Sequence, residues 1–172
     1  SGTGYTMTFT KGGVKYSEAV DAGTYTVTIT PATNYKLAST VDKNYTFTIN
    51  PAAATLTVPT TSFEYTGSPI TVSVVVKAGE TKLTAGTDYT VSGNVQTNAN
   101  ENGKSYTLTV TLTNGNYTFA SGTTATQSYT ITQKKVAYDG QTEFSVPYGT
   151  TFESMALPTS TYGTWAWPKT GA

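Results

Sequence analysis

A Thr-alternating run followed by an Asn-Tyr segment occurs twice in this 172-residue chain, and the second occurrence nearly repeats the first. Thr24-Tyr-Thr-Val-Thr-Ile-Thr30 leads into Asn34-Tyr-Lys-Leu-Ala-Ser39, and Ser105-Tyr-Thr-Leu-Thr-Val-Thr111 leads into Asn116-Tyr-Thr-Phe-Ala-Ser121. The offset is about 81 residues at the runs and about 82 from the Asn-Tyr onward, and it persists through Phe47-Thr-Ile49 and Tyr129-Thr-Ile131. A period of that length, made of short strands, predicts a tandem array of small all-β domains.

Each run alternates with a period of two. Tyr25, Val27 and Ile29 share one face while Thr24, Thr26, Thr28 and Thr30 share the other, and Tyr106, Leu108, Val110 and Leu112 are set against Thr107, Thr109, Thr111 and Thr113 in the same way. One apolar and one hydroxyl-rich face predict antiparallel sheets packed face to face. Further strands are expected at 5–10, 44–49, 54–58, 71–76, 88–92, 127–132 and 143–146. Lys11-Gly-Gly13, Asp21-Ala-Gly23, Ala78-Gly79, Asn102-Gly103, Asn114-Gly115 and Asp139-Gly140 supply the turn chemistry between them. No window carries a sustained helical period with caps. The expected fold is all-β, a set of tandem immunoglobulin-like antiparallel β-sandwich modules.

The repeat also sets the expected boundaries. A complete module spans 51–133, opening at Pro51-Ala-Ala-Ala54 immediately after a strand; 1–50 matches the C-terminal part of a module, and 134–172 the N-terminal part of a further one. Both ends are therefore expected to cut through modules of a longer array. The short join at Pro51 predicts a stiff connection rather than a flexible string.

Composition removes several function classes. Ten Lys and no Arg against ten acids give no net charge and no basic stripe, so nucleic acid is not an expected partner. Without Cys or His there is no thiol nucleophile, no imidazole base and no zinc site of the usual kind. No apolar run approaches the roughly 20 residues of a membrane helix.

Beyond these patterns, Val20-Asp-Ala-Gly-Thr-Tyr-Thr-Val27, Phe63-Glu-Tyr-Thr-Gly-Ser-Pro-Ile70 and Leu83-Thr-Ala-Gly-Thr-Asp-Tyr-Thr-Val91 resemble the tandem immunoglobulin-like repeats (MBG or bacterial Ig-like type) of large bacterial secreted and cell-surface proteins. The stretch from Tyr148-Gly-Thr-Thr-Phe152 through Gly163-Thr-Trp-Ala-Trp167 is similar to another repeat common in the same proteins. The resemblance covers most of the chain and implies an extracellular, β-rich stalk or adhesin segment. It carries no catalytic residue across. One departure is the Asn-rich insertion Asn94 to Asn102, expected to form a longer and looser loop than the family's.

Glu64, Glu80, Asp88 and Glu101 are the acids from which a glycosidase pair would have to come, and they read instead as solvated turn and strand-end charges. Asp21, Asp42 and Asp139 are isolated, without the clustered oxygens of a calcium loop, and read as loop chemistry. Tyr162, Trp165 and Trp167 are the candidate ligand-binding residues, two indoles on one face if 163–167 is a strand, although a core Trp would look the same. Lys, Asn, Thr and Gln leave room for intramolecular cross-links, but no spacing singles one out. Asn44-Tyr-Thr46 and Asn116-Tyr-Thr118 match the N-glycosylation pattern, a common coincidence in a Thr-rich chain.

The sequence thus predicts a non-catalytic stalk or spacer repeat of an adhesin-like bacterial surface or secreted protein, with no cofactor and no metal. The alternative is a β-sandwich module that binds glycans or host extracellular proteins. Expected partners are neighbouring repeat modules, surface glycans or host extracellular proteins, and the expected location is the cell surface or the extracellular space.

Overall fold

The computed structural model describes residues 4–137, 145–151, 154–157, 163 and 166. Contacts divide the chain into two units, Ser1–Gln133 and Lys134–Ala172. In the second unit the expected turn at Pro147-Tyr-Gly149 forms: the Thr150 N–H and hydroxyl both donate to the Pro147 carbonyl, and Gly149 has a φ of 90°. The first unit is built from strands, and no α-helix occurs among the described residues.

Its first sheet contains β1 (Tyr5–Lys11), β2 (Val14–Tyr16), β3 (Gly23–Pro31) and β4 (Asn44–Ile49), in the order β2-β1-β3-β4 with all neighbours antiparallel. Gly12 and Gly13 sit at φ 55° and 81°, so both central residues of the β1–β2 hairpin occupy the left-handed region that such tight turns demand. Register aligns the Thr faces. Thr10, Thr26 and Thr46 form one cross-strand row; Thr8, Thr28 and Asn44 form the next. The Thr24 and Thr48 hydroxyls meet at 2.9 Å, and Thr28 donates to the Asn44 side chain at 2.8 Å. The opposite face carries Phe9, Val27 and Phe47, with Tyr25 stacked on Phe47 at 5.4 Å.

From Ala52 onward the strands are β5 (Ala52–Thr57), β6 (Ser62–Glu64), β7 (Ile70–Thr71), β8 (Val75–Ala78), β9 (Thr81–Lys82), β10 (Tyr89–Ser92), β11 (Val95–Gln96), β12 (Tyr106–Leu112), β13 (Tyr117–Thr118) and β14 (Thr124–Thr132). They form two four-stranded sheets, β10-β12-β14-β6 and β13-β5-β8-β9, and a short β11-β7 ribbon. Both large sheets supply the core. Tyr89, Leu108, Val110, Tyr129 and Ile131 come from one, Ala54 and Val76 from the other, with Val72, Leu83 and Phe119 from connecting segments. Fully burying an aliphatic or aromatic side chain is worth about 1.5–3 kcal/mol before chain entropy is charged, so this cluster is the main source of cohesion.

The structure departs from the antiparallel expectation at two places, where β6 runs parallel to β14 and β13 parallel to β5. Parallel neighbours cannot be joined by a tight hairpin, so periodicity around turns gave no sign of them. The run expected at 71–76 splits into β7 and β8. Of 143–146, residues 143 and 144 lie outside the described residues and 145 and 146 form no strand. The Asn-rich insertion is pinned rather than loose: Asn94 exchanges bonds with Val72, Asn100 receives the Ile131 N–H and returns its own to the Ile131 carbonyl, and the Tyr106 hydroxyl donates to Asn98.

Three strands before Asn50 correspond in register to three after Pro51. Tyr5 and Met7 lie opposite Pro31 and Ile29, as Tyr89 and Val91 lie opposite Leu112 and Val110; Phe47 lies opposite Tyr25, as Tyr129 lies opposite Tyr106. Thus β1, β3 and β4 occupy the places of β10, β12 and β14. Gly2-Thr-Gly-Tyr-Thr-Met7 and Gly86-Thr-Asp-Tyr-Thr-Val91 carry the same relation in sequence.

Candidate functional site

Where the sheet of residues 5–49 meets the strands from Ala52 onward, a chain of hydrogen bonds runs from one to the other. The turn after β12 begins it: the Asp88 carbonyl accepts from the Thr113 and Asn114 N–H groups, and the Asn114 amide donates to an Asp88 carboxylate oxygen at 2.9 Å. The other carboxylate oxygen accepts the Thr84 N–H at 2.8 Å. Bonds to the charged form hold the Asp88 carboxyl below the usual carboxylate range, the Thr84 N–H contributing most and the Asn114 amide next. Asn114 then receives the Asn116 N–H on its side-chain oxygen at 3.0 Å, an Asx turn that fixes where the Asn116 side chain points.

Asn116 is the bridge. Its side-chain oxygen accepts the Ala22 N–H at 2.7 Å, and its amide nitrogen donates to an Asp21 carboxylate oxygen at 2.8 Å. Its backbone carbonyl accepts the Ala52 N–H at 2.8 Å, at the first residue of β5. One residue therefore holds both the Asp21-Ala22 loop that precedes β3 and the first residue of β5. All three partners are backbone groups or a charge on short, constrained segments, so the contact fixes geometry as well as adding energy.

On the far side of the joint the same loop is braced from within its own sheet. The Tyr25 hydroxyl donates to the Asp21 carbonyl at 2.9 Å, and the Lys11 ammonium donates to the Ala22 carbonyl at 2.6 Å while lying 5.5 Å from the centre of the Tyr25 ring. Gly23 follows at φ 142°, a conformation that L side chains rarely adopt; a Cβ there would also meet Lys11 at 2.6 Å. The Asp-Ala-Gly turn chemistry thus serves to present one N–H and one carboxylate to Asn116.

The sequence-derived candidates fall elsewhere. Tyr162, Trp165, Trp167 and Asp139 lie outside the described residues. Glu64 is on β6, Glu80 on the β8–β9 turn, and Glu101 pairs with exposed Lys104; these acids are not brought together. Among the described residues, no group of three His, Cys, Asp or Glu side chains is placed to hold a metal ion. Asp21 and Asp88 do belong to one network, linked through Asn114 and Asn116. In the sequence Asn116 stands out only as the start of the repeated Asn-Tyr segment and as a glycosylation match. Its bridging role had a faint signal in the Asn114-Gly-Asn116 spacing beside a repeat that keeps Asp-Ala-Gly, but nothing in sequence pairs positions so far apart.

No protein-family model matches the chain, and comparison with curated proteins and with solved structures returns no match.

Proposed function

We propose that this chain is a non-catalytic structural spacer, a piece of an array of immunoglobulin-like β-sandwich repeats in a bacterial surface or secreted protein. The observation that carries this reading is the Asn116 bridge. A repeat joined only by its chain would swivel; here Asn50 and Pro51 alone separate β4 from β5, and a second connection runs through Asp21 and Ala22. Two connections at one joint resist bending in a way that one does not. The hydroxyl-rich outer faces and the low charge suit a segment that stays hydrated without recruiting charged ligands. Neighbouring repeats are the partners this reading requires, and the extracellular location follows from the resemblance in sequence.

Orientation measurements on the full chain test it. Residual dipolar couplings from residues 5–49 and from 52–132 are expected to fit a single alignment tensor, and a glycan array is expected to stay silent. Two tensors of different magnitude, or saturable glycan binding, would overturn the spacer reading. Antibody labelling of intact source cells provides the check on location.

A further inference from the structure

Of the Asn residues in the chain, only Asn102 and Asn114 are followed by Gly. A glycine carries no side chain to shield its amide nitrogen, and its backbone freedom lets that nitrogen swing onto the side-chain carbonyl carbon of the Asn before it. The two pairs are alike in covalent structure and differ in what the fold does with them. Asn102-Gly103 forms the centre of the Glu101–Lys104 turn, closed by the Lys104 N–H on the Glu101 carbonyl at 3.0 Å, with Gly103 at a φ of 77°. All four residues of this turn are exposed, and among the described residues neither the Asn102 amide nor the Gly103 N–H has a hydrogen-bond partner.

Asn114 is half-buried and its side chain is held at both ends. Its Oδ1 accepts the Asn116 N–H at 3.0 Å, and its Nδ2 donates to the Asp88 carboxylate at 2.9 Å. Attack by the Gly115 nitrogen would have to carry Nδ2 away from that carboxylate and expel it. The Asp88 charge beside the amide also opposes the negative charge that builds on Oδ1 during the attack.

We infer that Asn102 is a site of spontaneous modification, deamidating through a succinimide without an enzyme, while the folded chain holds Asn114 back. Hydroxide takes the Gly103 N–H proton, the amide nitrogen bonds to Asn102 Cγ, and the tetrahedral intermediate collapses by breaking the Cγ–Nδ2 bond and releasing ammonia. Water then opens the ring at either carbonyl carbon, leaving Asp or isoaspartate. The balance is one water consumed and one ammonia released, with no change of oxidation state. The product adds a negative charge beside Glu101 in a turn whose single closing bond is exposed, so the strands on either side keep their pairing. At Asn114 the same reaction would set a carboxylate against Asp88 and break the chain of bonds that leads to Asn116 and Asp21. The inference rests on the hydrogen bonding of two side chains and stands or falls separately from the spacer reading.

The test incubates the full chain in mildly alkaline buffer, folded and in urea, and follows the replacement of NH2 by OH at each Asn by peptide mapping, with isoaspartate read by isoaspartyl methyltransferase labelling. In urea the two sites are expected to react within about threefold of one another; in the folded chain Asn102 keeps that pace while Asn114 falls behind by on the order of tenfold or more, because it reacts only when its bonds open. Asp88→Ala is expected to bring the Asn114 rate up toward that of Asn102 and to leave Asn102 unchanged. The product mimics separate in the same sense: Asn102→Asp keeps the urea midpoint and Asn114→Asp lowers it. The comparison of folded and unfolded wild-type chain depends on no variant. Equal rates at the two sites in the folded chain would overturn the inference, as would a slowing of Asn102 on folding as large as that of Asn114.

Discussion

Replacing Asn116 by Ala isolates the joint, because the side chain makes two bonds and both run to the Asp21-Ala22 loop ahead of β3. The Ala22 N–H loses an acceptor at 2.7 Å and the Asp21 carboxylate loses a donor at 2.8 Å. A neutral hydrogen bond contributes about 0.5–1.5 kcal/mol net, and one to a charged group about 1.5–3 kcal/mol. The groups are only half-buried, so water recovers part of each, and the expected loss is about 1–3 kcal/mol. Chemical denaturation measures it, and a double-mutant cycle with Asp21→Ala isolates the carboxylate bond. The coupling energy is expected at about 1 kcal/mol. Asn116→Asp sharpens the test: it keeps an acceptor for Ala22 but sets two carboxylates face to face, so it should cost more than Ala at neutral pH and recover on acidification. A cost below about 0.5 kcal/mol for Asn116→Ala, with additivity in the cycle, would refute the claim that this residue holds the joint.

Three further outcomes are expected. Gly93→Ala forces a side chain onto a φ of 72° and brings its Cβ within 2.5 Å of the Thr107 carbonyl oxygen, so the urea midpoint should fall by the equivalent of about 2–4 kcal/mol without a change in m. The Tyr129 phenol is raised above its ordinary value, first by burial and then by neighbouring Tyr106, and donates to the Gly93 carbonyl at 2.8 Å. Because the folded state favours the protonated phenol, its stabilisation is present below the ordinary Tyr range and is lost as pH rises through the raised value; absorbance at 295 nm should show a late-titrating step that Tyr129→Phe removes. Asp88 has the opposite sign. Its lowered carboxyl stabilises the fold above the ordinary carboxylate range, the contribution disappears as pH falls through the depressed value, and Asp88→Asn should flatten the acid limb of a stability–pH profile.

Strand identity was legible wherever Thr alternated with apolar residues over several positions. The segments at 5–10, 44–49 and 88–92 appear nearly as expected, and 127–132 is part of the longer β14, because period-two burial is a local property of a pleated chain. The shorter pieces were not legible. Tyr117–Thr118 carries no pattern of its own; it is extended and paired because β5 arrives beside it, and its counterpart Tyr35–Lys36 forms no strand. The same applies to Ser62–Glu64, whose parallel pairing with β14 joins residues far apart in the chain.

The joint shows the same limit. Asp21-Ala-Gly23 and Asn114-Gly115 were readable as turns because Gly and Asx side chains act on their own backbone. That the Asn116 amide reaches across to Asp21 and Ala22 depends on where two separately folded turns come to rest, which no local preference encodes.

By itself, then, the sequence determined an all-β chain with alternating wet and apolar faces, a repeated Thr-run and Asn-Tyr element, and the absence of Cys and His chemistry. Those follow from side-chain period and composition, which act within a few residues. Tertiary structure alone decided which strands pair in parallel, that Asn116 ties the Asp21-Ala22 loop to β5, and that β14 gains β6 as a parallel neighbour while β4, among the described residues, pairs with β3 alone. These outcomes depend on contacts between distant segments, where hydrogen-bond geometry and buried area are set only once the whole unit has folded.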